Sequence, residues 1–158
     1  MKTFEPGFFA LENFIVKQET FDAREPHSGE PWHVAYNVND PFFRIMGASM
    51  VSVLENNPDH PFVFHLFTDG YSRDNAEKIR QLAEKWHCRC TLYELDMEPF
   101  QDFHVKVARF SRITYGRLYM AKVLKKETDR FLYLDADTMV IRSLEDLFGL
   151  SMEGEAMG

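Results

Sequence analysis

Phe131-Leu132-Tyr133-Leu134-Asp135-Ala136-Asp137-Thr138-Met139-Val140 is the stretch on which the fold turns. Four apolar residues lead directly into two aspartates one residue apart, and apolar residues resume at Met139. A run that apolar reads as a strand buried on both faces, the kind found inside an α/β sheet. Carboxylates are seldom fully buried without a partner, because stripping water from a charge costs several kcal/mol. The strand is therefore expected to end at Leu134, with both aspartates in the crevice at its carboxyl end, where open parallel sheets bind ligands. Two carboxylates there offer hard oxygen ligands to Mg²⁺ or Mn²⁺, ions that often carry a substrate's phosphates. The alternative is a loop in which Asp135 or Asp137 caps the next turn or short helix. A cap accounts for one aspartate, but not for the apolar run that precedes both.

Working outward, the segments upstream alternate between strand and helix patterns. Trp32 to Val38 is a short β-rich run, followed by Asn39-Asp40-Pro41 as a turn with Pro41 suited to the first position of a helix. Phe42, Ile45, Met46, Ser49, Met50, Val53 and Leu54 then recur at helical spacing as far as Asn56-Asn57-Pro58. Phe62 to Thr68 reads as a second buried strand, closed by Asp69-Gly70. Ser72 is placed to cap a helix whose inner face is Ala76, Ile79, Leu82, Ala83 and Trp86, and Cys90 to Leu95 is a third strand. Asp96 to Phe110 carries Pro99 and reads as a loop region with a helical turn. Ile113 to Leu124 is helical, with Ile113, Arg117, Met120 and Leu124 on one stripe, and a short helix is expected at Leu144 to Phe148. This β-α-β-α-β-loop-α-β order predicts an α/β fold with a parallel, Rossmann-like sheet.

Residues 1–31 form a prefix and linker. Phe4, Phe8, Phe9, Leu11, Phe14, Ile15 and Val16 are apolar enough to pack on something, and Arg24 to Pro31 is polar and rich in turn residues. The early Glu5 and Pro6 do not suit a signal peptide, and no run approaches the ~20 apolar residues of a membrane span. A chain of 158 residues is one domain by length. Its net charge of −7 argues against a nucleic-acid partner. Cys88 and Cys90 are too close for an unstrained bridge, and reduced thiols suit the cytoplasm.

Three further features bear on chemistry. Asn37-Val38-Asn39-Asp40-Pro41-Phe42 lies at a strand-to-helix turn on the same sheet edge as Asp135. Amide and carboxylate groups there can bond a nucleobase edge and Phe42 can stack on it, or Asn and Asp cap the helix and Phe42 is core. Arg117 is out of pattern on an apolar stripe: it either forks a diphosphate or snorkels to a salt bridge at the rim. His87-Cys88-Arg89-Cys90 is a poor zinc site, because structural zinc takes four ligands, and two cysteines sharing a strand face read as core. Neither a Gly-x-Gly-x-x-Gly run nor a P-loop is present. An Asp-x-Asp is also similar to haloacid dehalogenase phosphatases, but those carry Asp-x-Asp-x-Thr early in the chain, and Met139 holds the threonine position here.

Taken together, His33 to Asp40, Ile113 to Leu118 and Phe131 to Asp137 resemble family 8 retaining glycosyltransferases of the bacterial lipopolysaccharide glucosyl- or galactosyltransferase kind. The resemblance covers residues 32–158 and implies a GT-A fold, a UDP-sugar donor and a Mn²⁺ or Mg²⁺ cofactor. It matches Asp135 and Asp137 to the metal-binding pair, Ala136 to a backbone contact beside the ribose, and Arg117 to a donor-contacting arginine. Asn37, Val38, Asn39, Asp40, Pro41 and Phe42 match the uridine-binding turn, with Phe42 in the place of an aromatic that stacks on uracil. Asn39 stands where an aspartate is usual, and Pro41 where an asparagine is common. Family members continue well past this length and supply a late histidine to the metal site. All six histidines here (His27, His33, His60, His65, His87 and His104) precede the aspartates, so the chain is expected to be the donor-binding part of an enzyme, truncated at its carboxyl end.

The activity implied is hexosyl transfer from a UDP-sugar to a glycan hydroxyl, with a lipopolysaccharide-core acceptor and at most peripheral membrane association. A second reading is a non-catalytic, metal-dependent nucleotide-sugar-binding module. A third is an incomplete domain that exposes a sheet edge and self-associates.

Overall fold

The alternating segments of the sequence become strands and helices in a computed structural model, which describes residues 14–26, 29–100 and 112–151. In chain order they are β1 (Ile15–Asp22), β2 (Trp32–Val38), α1 (Phe43–Glu55), β3 (Phe62–Thr68), α2 (Arg73–Trp86), β4 (Arg89–Leu95), α3 (Arg117–Leu124), β5 (Leu132–Tyr133) and α4 (Glu145–Phe148). Tight 3-10 turns at Asp40–Phe42, Glu98–Phe100 and Arg112–Gly116 precede or join them. The described strands form a five-stranded sheet in the order β1-β4-β3-β2-β5. β2 to β5 run parallel, and β1 lies antiparallel on β4.

Both faces of this sheet are covered. Val34, Tyr36 and Val38 of β2, with Phe62, Phe64 and Leu66 of β3, pack under α1 and α2. Ala35, Phe67, Tyr93 and Leu95 point the other way, onto Tyr119, Met120, Val123 and Leu124 of α3. Burial on both faces is why β2 reads as a β-rich run and β3 as a buried strand. Cys88 and Cys90 sit in the α1/α2 core as free thiols, as expected for core cysteines.

The helices' faces fix the topology. From β2 the chain steps outward to β3 and β4 through α1 and α2 on one face. It then returns through α3 on the opposite face to β5, on the free side of β2. The direction of winding reverses between β2 and β5. Such a switch point opens a crevice at the carboxyl ends of the two strands.

Four sequence expectations are corrected. The strand read at Phe131–Leu134 is a two-residue ladder, Leu132–Tyr133, extended by a bond from the Leu134 N–H to the Ala35 carbonyl at 3.0 Å. It is half-buried because it pairs only with β2 among the described strands. Leu132 and Leu134 still face the α1/α2 core while Phe131 and Tyr133 face the α3 core, so the apolar run does serve two faces. In α1 the inner stripe begins at Phe43, and Phe42 and Ile45 are exposed. The tighter winding of the Asp40–Phe42 turn rotates Phe42 outward before the α-helix starts. The helix expected over Ile113–Leu124 is a 3-10 turn followed by α3, with Gly116 at the junction. Lastly, Ile15–Asp22 of the prefix is an edge strand. Its polar residues Lys17, Gln18, Glu19 and Asp22 suit a solvent-facing edge, and the same polarity concealed it from a reading based on apolar runs. Phe4, Phe8, Phe9, Leu11, His27 and most of the loop after Phe100 lie outside the described residues.

Candidate functional site at the switch point

The two halves of the site come from strands that are neighbours in space and about a hundred residues apart in sequence. β2 and β5 pair with Ala35 opposite Tyr133. Two residues further along each strand come Asn37 and Asp135, so the sequence-predicted turn and the aspartate pair share one edge of one crevice.

On the β2 side, the side-chain amide of Asn37 donates to the Ile113 carbonyl at 2.6 Å. Its Oδ1 is buried with no hydrogen-bond partner among the described residues, and the same holds for Oδ1 of Asn39. Asn39 makes no side-chain cap to the turn it precedes. Asp40 is fastened elsewhere. Its Oδ1 accepts from the Ser72 N–H at 2.7 Å and from the Asn75 amide at 2.7 Å. The Ser72 N–H foremost holds the carboxyl below its usual range. Asp40 thus ties the turn to the start of α2, whose own cap is the Ser72 hydroxyl, accepting from the Asn75 N–H. Pro41 lies within the 3-10 turn, Val38 is buried, and Phe42 is 45% exposed at the rim, not in the core. Buried acceptors without partners are costly, so the Oδ1 atoms of Asn37 and Asn39 single out this turn as a candidate site.

On the β5 side, Asp135 and Asp137 are exposed, while Ala136 between them is buried. The turn they make is closed by backbone, the Thr138 N–H donating to the Asp135 carbonyl at 3.0 Å, so neither carboxylate is spent on capping it. The Tyr133 hydroxyl donates to Asp135 Oδ1 at 2.6 Å. Burial, and then that bond to Asp135, push the Tyr133 hydroxyl well above its usual pKa, so it remains a donor. Arg117 stands at the start of α3 with its Nε donating to the Thr114 carbonyl at 3.1 Å. Its guanidinium lies 5.0 Å from the Tyr133 ring centroid, and Nη2 is 3.7 Å from Asp135 Oδ1. With side chains 46% and 63% exposed, this pair is screened by water and adds little to stability. Arg117 is thus an exposed arginine ion-paired at the crevice rim, a placement that suits both a rim salt bridge and a contact to a diphosphate.

Past the aspartates the chain is fastened to the far end of α1. The Val140 N–H donates to the Ser52 hydroxyl at 2.9 Å, and the Asn56 amide donates to the Val140 carbonyl at 3.0 Å. Asn57 Oδ1 accepts from the Leu144 N–H at 2.7 Å and from the Ser143 hydroxyl at 3.2 Å.

Asp135 and Asp137 are the crevice's metal-binding candidates. Among the described residues no three His, Cys, Asp or Glu side chains gather to hold an ion. His33 and His65 are buried in mid-sheet, and His60 stacks on Trp32. Among the described residues no thiol or imidazole stands beside these two exposed carboxylates, so the donor set they offer is oxygen. That suits Mg²⁺ or Mn²⁺ and not zinc. A cavity of about 730 Å³ lies at the opposite ends of the strands, lined by Arg24, His33, Arg89, Glu127 and Arg130 among others. Its arginines are engaged, with Asp22, Glu127 and the Phe148 carbonyl respectively.

Three contributors escaped the sequence reading: the Tyr133 hydroxyl, Gly116, and the α1 side chains that fasten residues 140–144. Only Tyr133 carried a signal, since residues two apart on a strand share a face, which aims it at Asp135.

Known proteins resemble this chain in sequence and in fold. The profile described as Glycosyl transferase family 8 matches residues 33–158. The lipopolysaccharide 1,3-galactosyltransferase of Salmonella typhimurium is 30% identical over 138 residues, which are 86% of this chain and 41% of that protein. A lipopolysaccharide 1,2-glucosyltransferase of Escherichia coli K12 is 31% identical over 148 residues, 94% of this chain and 44% of the relative. The chain thus spans less than half the length of these relatives. Among solved structures, the galactosyltransferase LgtC, in complex with donor and acceptor sugar analogs, superposes with a TM-score of 0.68 at 24% identity. The match covers 76% of this chain and 43% of that one, and assigns the sheet to the GT-A type. By the extent of its profile match and by the shared sheet, the chain belongs to glycosyltransferase family 8.

Proposed function

We propose that this chain binds the donor for a retaining hexosyltransferase that moves glucose or galactose from a UDP-sugar to a glycan hydroxyl, as in lipopolysaccharide-core synthesis. The observation that carries the reading is the convergence, at one switch point, of Asp135, Asp137 and Arg117 with the turn from Asn37 to Phe42. The names of the two enterobacterial relatives support the hexose and the acceptor class.

Each residue has a task that its placement allows. Phe42 stacks on the uracil, and the unpartnered Asn39 Oδ1 accepts an N–H from the base edge, with Val38 and Pro41 shaping the turn and Asp40 holding it to α2. Ala136 keeps the backbone between the aspartates close to the ribose. Asp135 and Asp137 hold the divalent cation. When bound, that cation supplies Lewis-acid stabilisation of the charge that develops on the diphosphate. Arg117 turns its fork from Asp135 to the same phosphate oxygens, a charge-assisted contact that strengthens as the leaving group becomes more negative.

The second reading, a nucleotide-sugar-binding module without turnover, uses the same crevice residues and differs from the first only in catalysis. Self-association through the outer side of β5 accompanies either reading, because Met139, Ile141, Leu147 and Leu150 are exposed beside it. The unbridged, buried Cys88 and Cys90 favour a cytoplasmic setting.

Calorimetric titration of UDP with and without Mn²⁺ tests the donor site, with the Asp135→Ala/Asp137→Ala double variant as control. Metal-dependent binding that the variant loses is the expected result. A folded chain that ignores UDP under both conditions sinks the proposal. Release of UDP from UDP-glucose or UDP-galactose in the presence of a glycan acceptor then separates an enzyme from a binding module.

A further inference from the structure

We infer that Tyr133 is a positioning residue for both halves of the charge-handling group: its hydroxyl orients Asp135 toward the cation, and its ring is the plate on which Arg117 lies. The inference rests on the donor-site reading above and names a residue that reading does not use.

Asp135 begins an exposed turn, and an exposed carboxylate rotates freely. Tyr133 does not share that freedom. It is the last residue of β5, paired opposite Ala35, and its ring is half-buried against the α3 core. The 2.6 Å bond from its hydroxyl to Oδ1 therefore transfers the rigidity of the sheet to the carboxylate and leaves Oδ2 as the oxygen free of that bond. A partly exposed hydroxyl would be satisfied by water, so folding alone does not require this contact. Ligands held by an outer hydrogen bond typically lose about 10- to 100-fold in metal affinity when the bond is removed.

The same ring confines Arg117. A bond from Nε to the Thr114 carbonyl fixes one side of the guanidinium, and the Tyr133 ring lies beneath its central carbon at 5.0 Å. What remains is the edge that meets Asp135 Oδ1 at 3.7 Å. An arginine so confined loses less rotamer freedom when it forks an anion. One tyrosine thereby couples the orientation of the anionic ligand and of the cationic side chain that share a diphosphate.

Two substitutions in the full chain separate these roles. Tyr133→Phe removes the hydroxyl and keeps the plate, and Tyr133→Leu removes both. Free Mn²⁺ measured by electron paramagnetic resonance in the presence of UDP gives the metal affinity. Calorimetry at saturating Mn²⁺ gives the UDP affinity, and a thermal scan reports folding. Tyr133→Phe is expected to weaken Mn²⁺ binding about 10-fold while UDP affinity returns toward wild type at saturating Mn²⁺. Tyr133→Leu is expected to keep a weakened UDP affinity even then. A purely structural role would lower the thermal midpoint and leave the Mn²⁺ affinity of Tyr133→Phe unchanged, which overturns the inference. A wild-type chain that fails to bind Mn²⁺ and UDP overturns the donor-site reading and this inference together, whereas a binding wild type with a silent Tyr133→Phe overturns the inference alone.

Discussion

A Cβ added to Gly116 would stand 2.8 Å from Leu95 Cδ1 and 2.9 Å from Asn37 Oδ1. Leu95 is packed in the α3 core and Asn37 is tied to the Ile113 carbonyl, so neither yields freely. Gly116→Ala is expected to cost about 1–3 kcal/mol, read as a lower urea midpoint, and to weaken UDP binding by displacing Asn37. His87 gives the opposite sign. It closes α2 in the left-handed region at φ 49°, where glycine is at ease, and its contact with Glu25 is exposed. His87→Gly is expected to raise stability by about 1 kcal/mol in the same assay. The charged members of the site were legible in the sequence because Asp135, Asp137 and Arg117 interrupt apolar patterns. Gly116 was not, since a lone glycine in a helical stretch looks the same whether it is tolerated or required.

At the scale of elements, β2, β3 and β4 carry a line of buried polar side chains across the α3 face of the sheet. His33 Nδ1 lies 2.9 Å from His65 Nε2, His65 Nδ1 lies 3.2 Å from the Tyr93 hydroxyl, and that hydroxyl points to Glu127, which pairs with Arg89. Neutral imidazoles satisfy the line only if each Nδ1 carries its proton, so that every bond runs toward Glu127. Burial, with the neighbouring charges of His33 and Arg89, depresses His65 to about 3, and burial lowers His33 as well. Unfolded histidines titrate near 6.5, so below that pH the unfolded chain binds protons that the folded chain refuses. Stability is complete above pH ~6.5 and falls by a few kcal/mol as the pH drops toward 4. Asp22 and Asp40, whose carboxyls are held low by Arg24 and by Ser72, lose their contributions only below about pH 4 to 5. Urea midpoints between pH 7 and 5 therefore isolate the histidines, and His65→Phe is expected to flatten the slope there. β2 and β3 were legible to the residue because they are rich in β-branched, aromatic and other apolar residues. The polar line was not, because register creates it: Ala35, not His33, is paired opposite His65.

For the whole molecule, the winding order was legible from the alternation of strand and helix patterns. Of the outer strands, β1 was not, because it is mostly polar, whereas β5 was read as a strand but longer than its two-residue ladder. The β5 side also exposes Met139, Leu147, Leu150 and Ile141, the last 80% accessible. Four large exposed apolar groups within twelve residues make this segment a candidate contact surface. Light scattering is expected to show concentration-dependent association that Ile141→Lys reduces, despite the net charge of −7.

The side chains of Ser52, Asn56 and Asn57 that grip residues 140–144 make bonds spanning 84 to 88 positions of the chain. At about 5–20 residues per second, a ribosome delivers one end of those bonds several seconds before the other. The turn after β2 emerges early and waits. Its counterpart carboxylates are placed only when residues 132–144 have been made and have closed back across the sheet. During synthesis the receiving side of β2 thus stays open until β5 has emerged, and the crevice is a late product of assembly instead of a template for it.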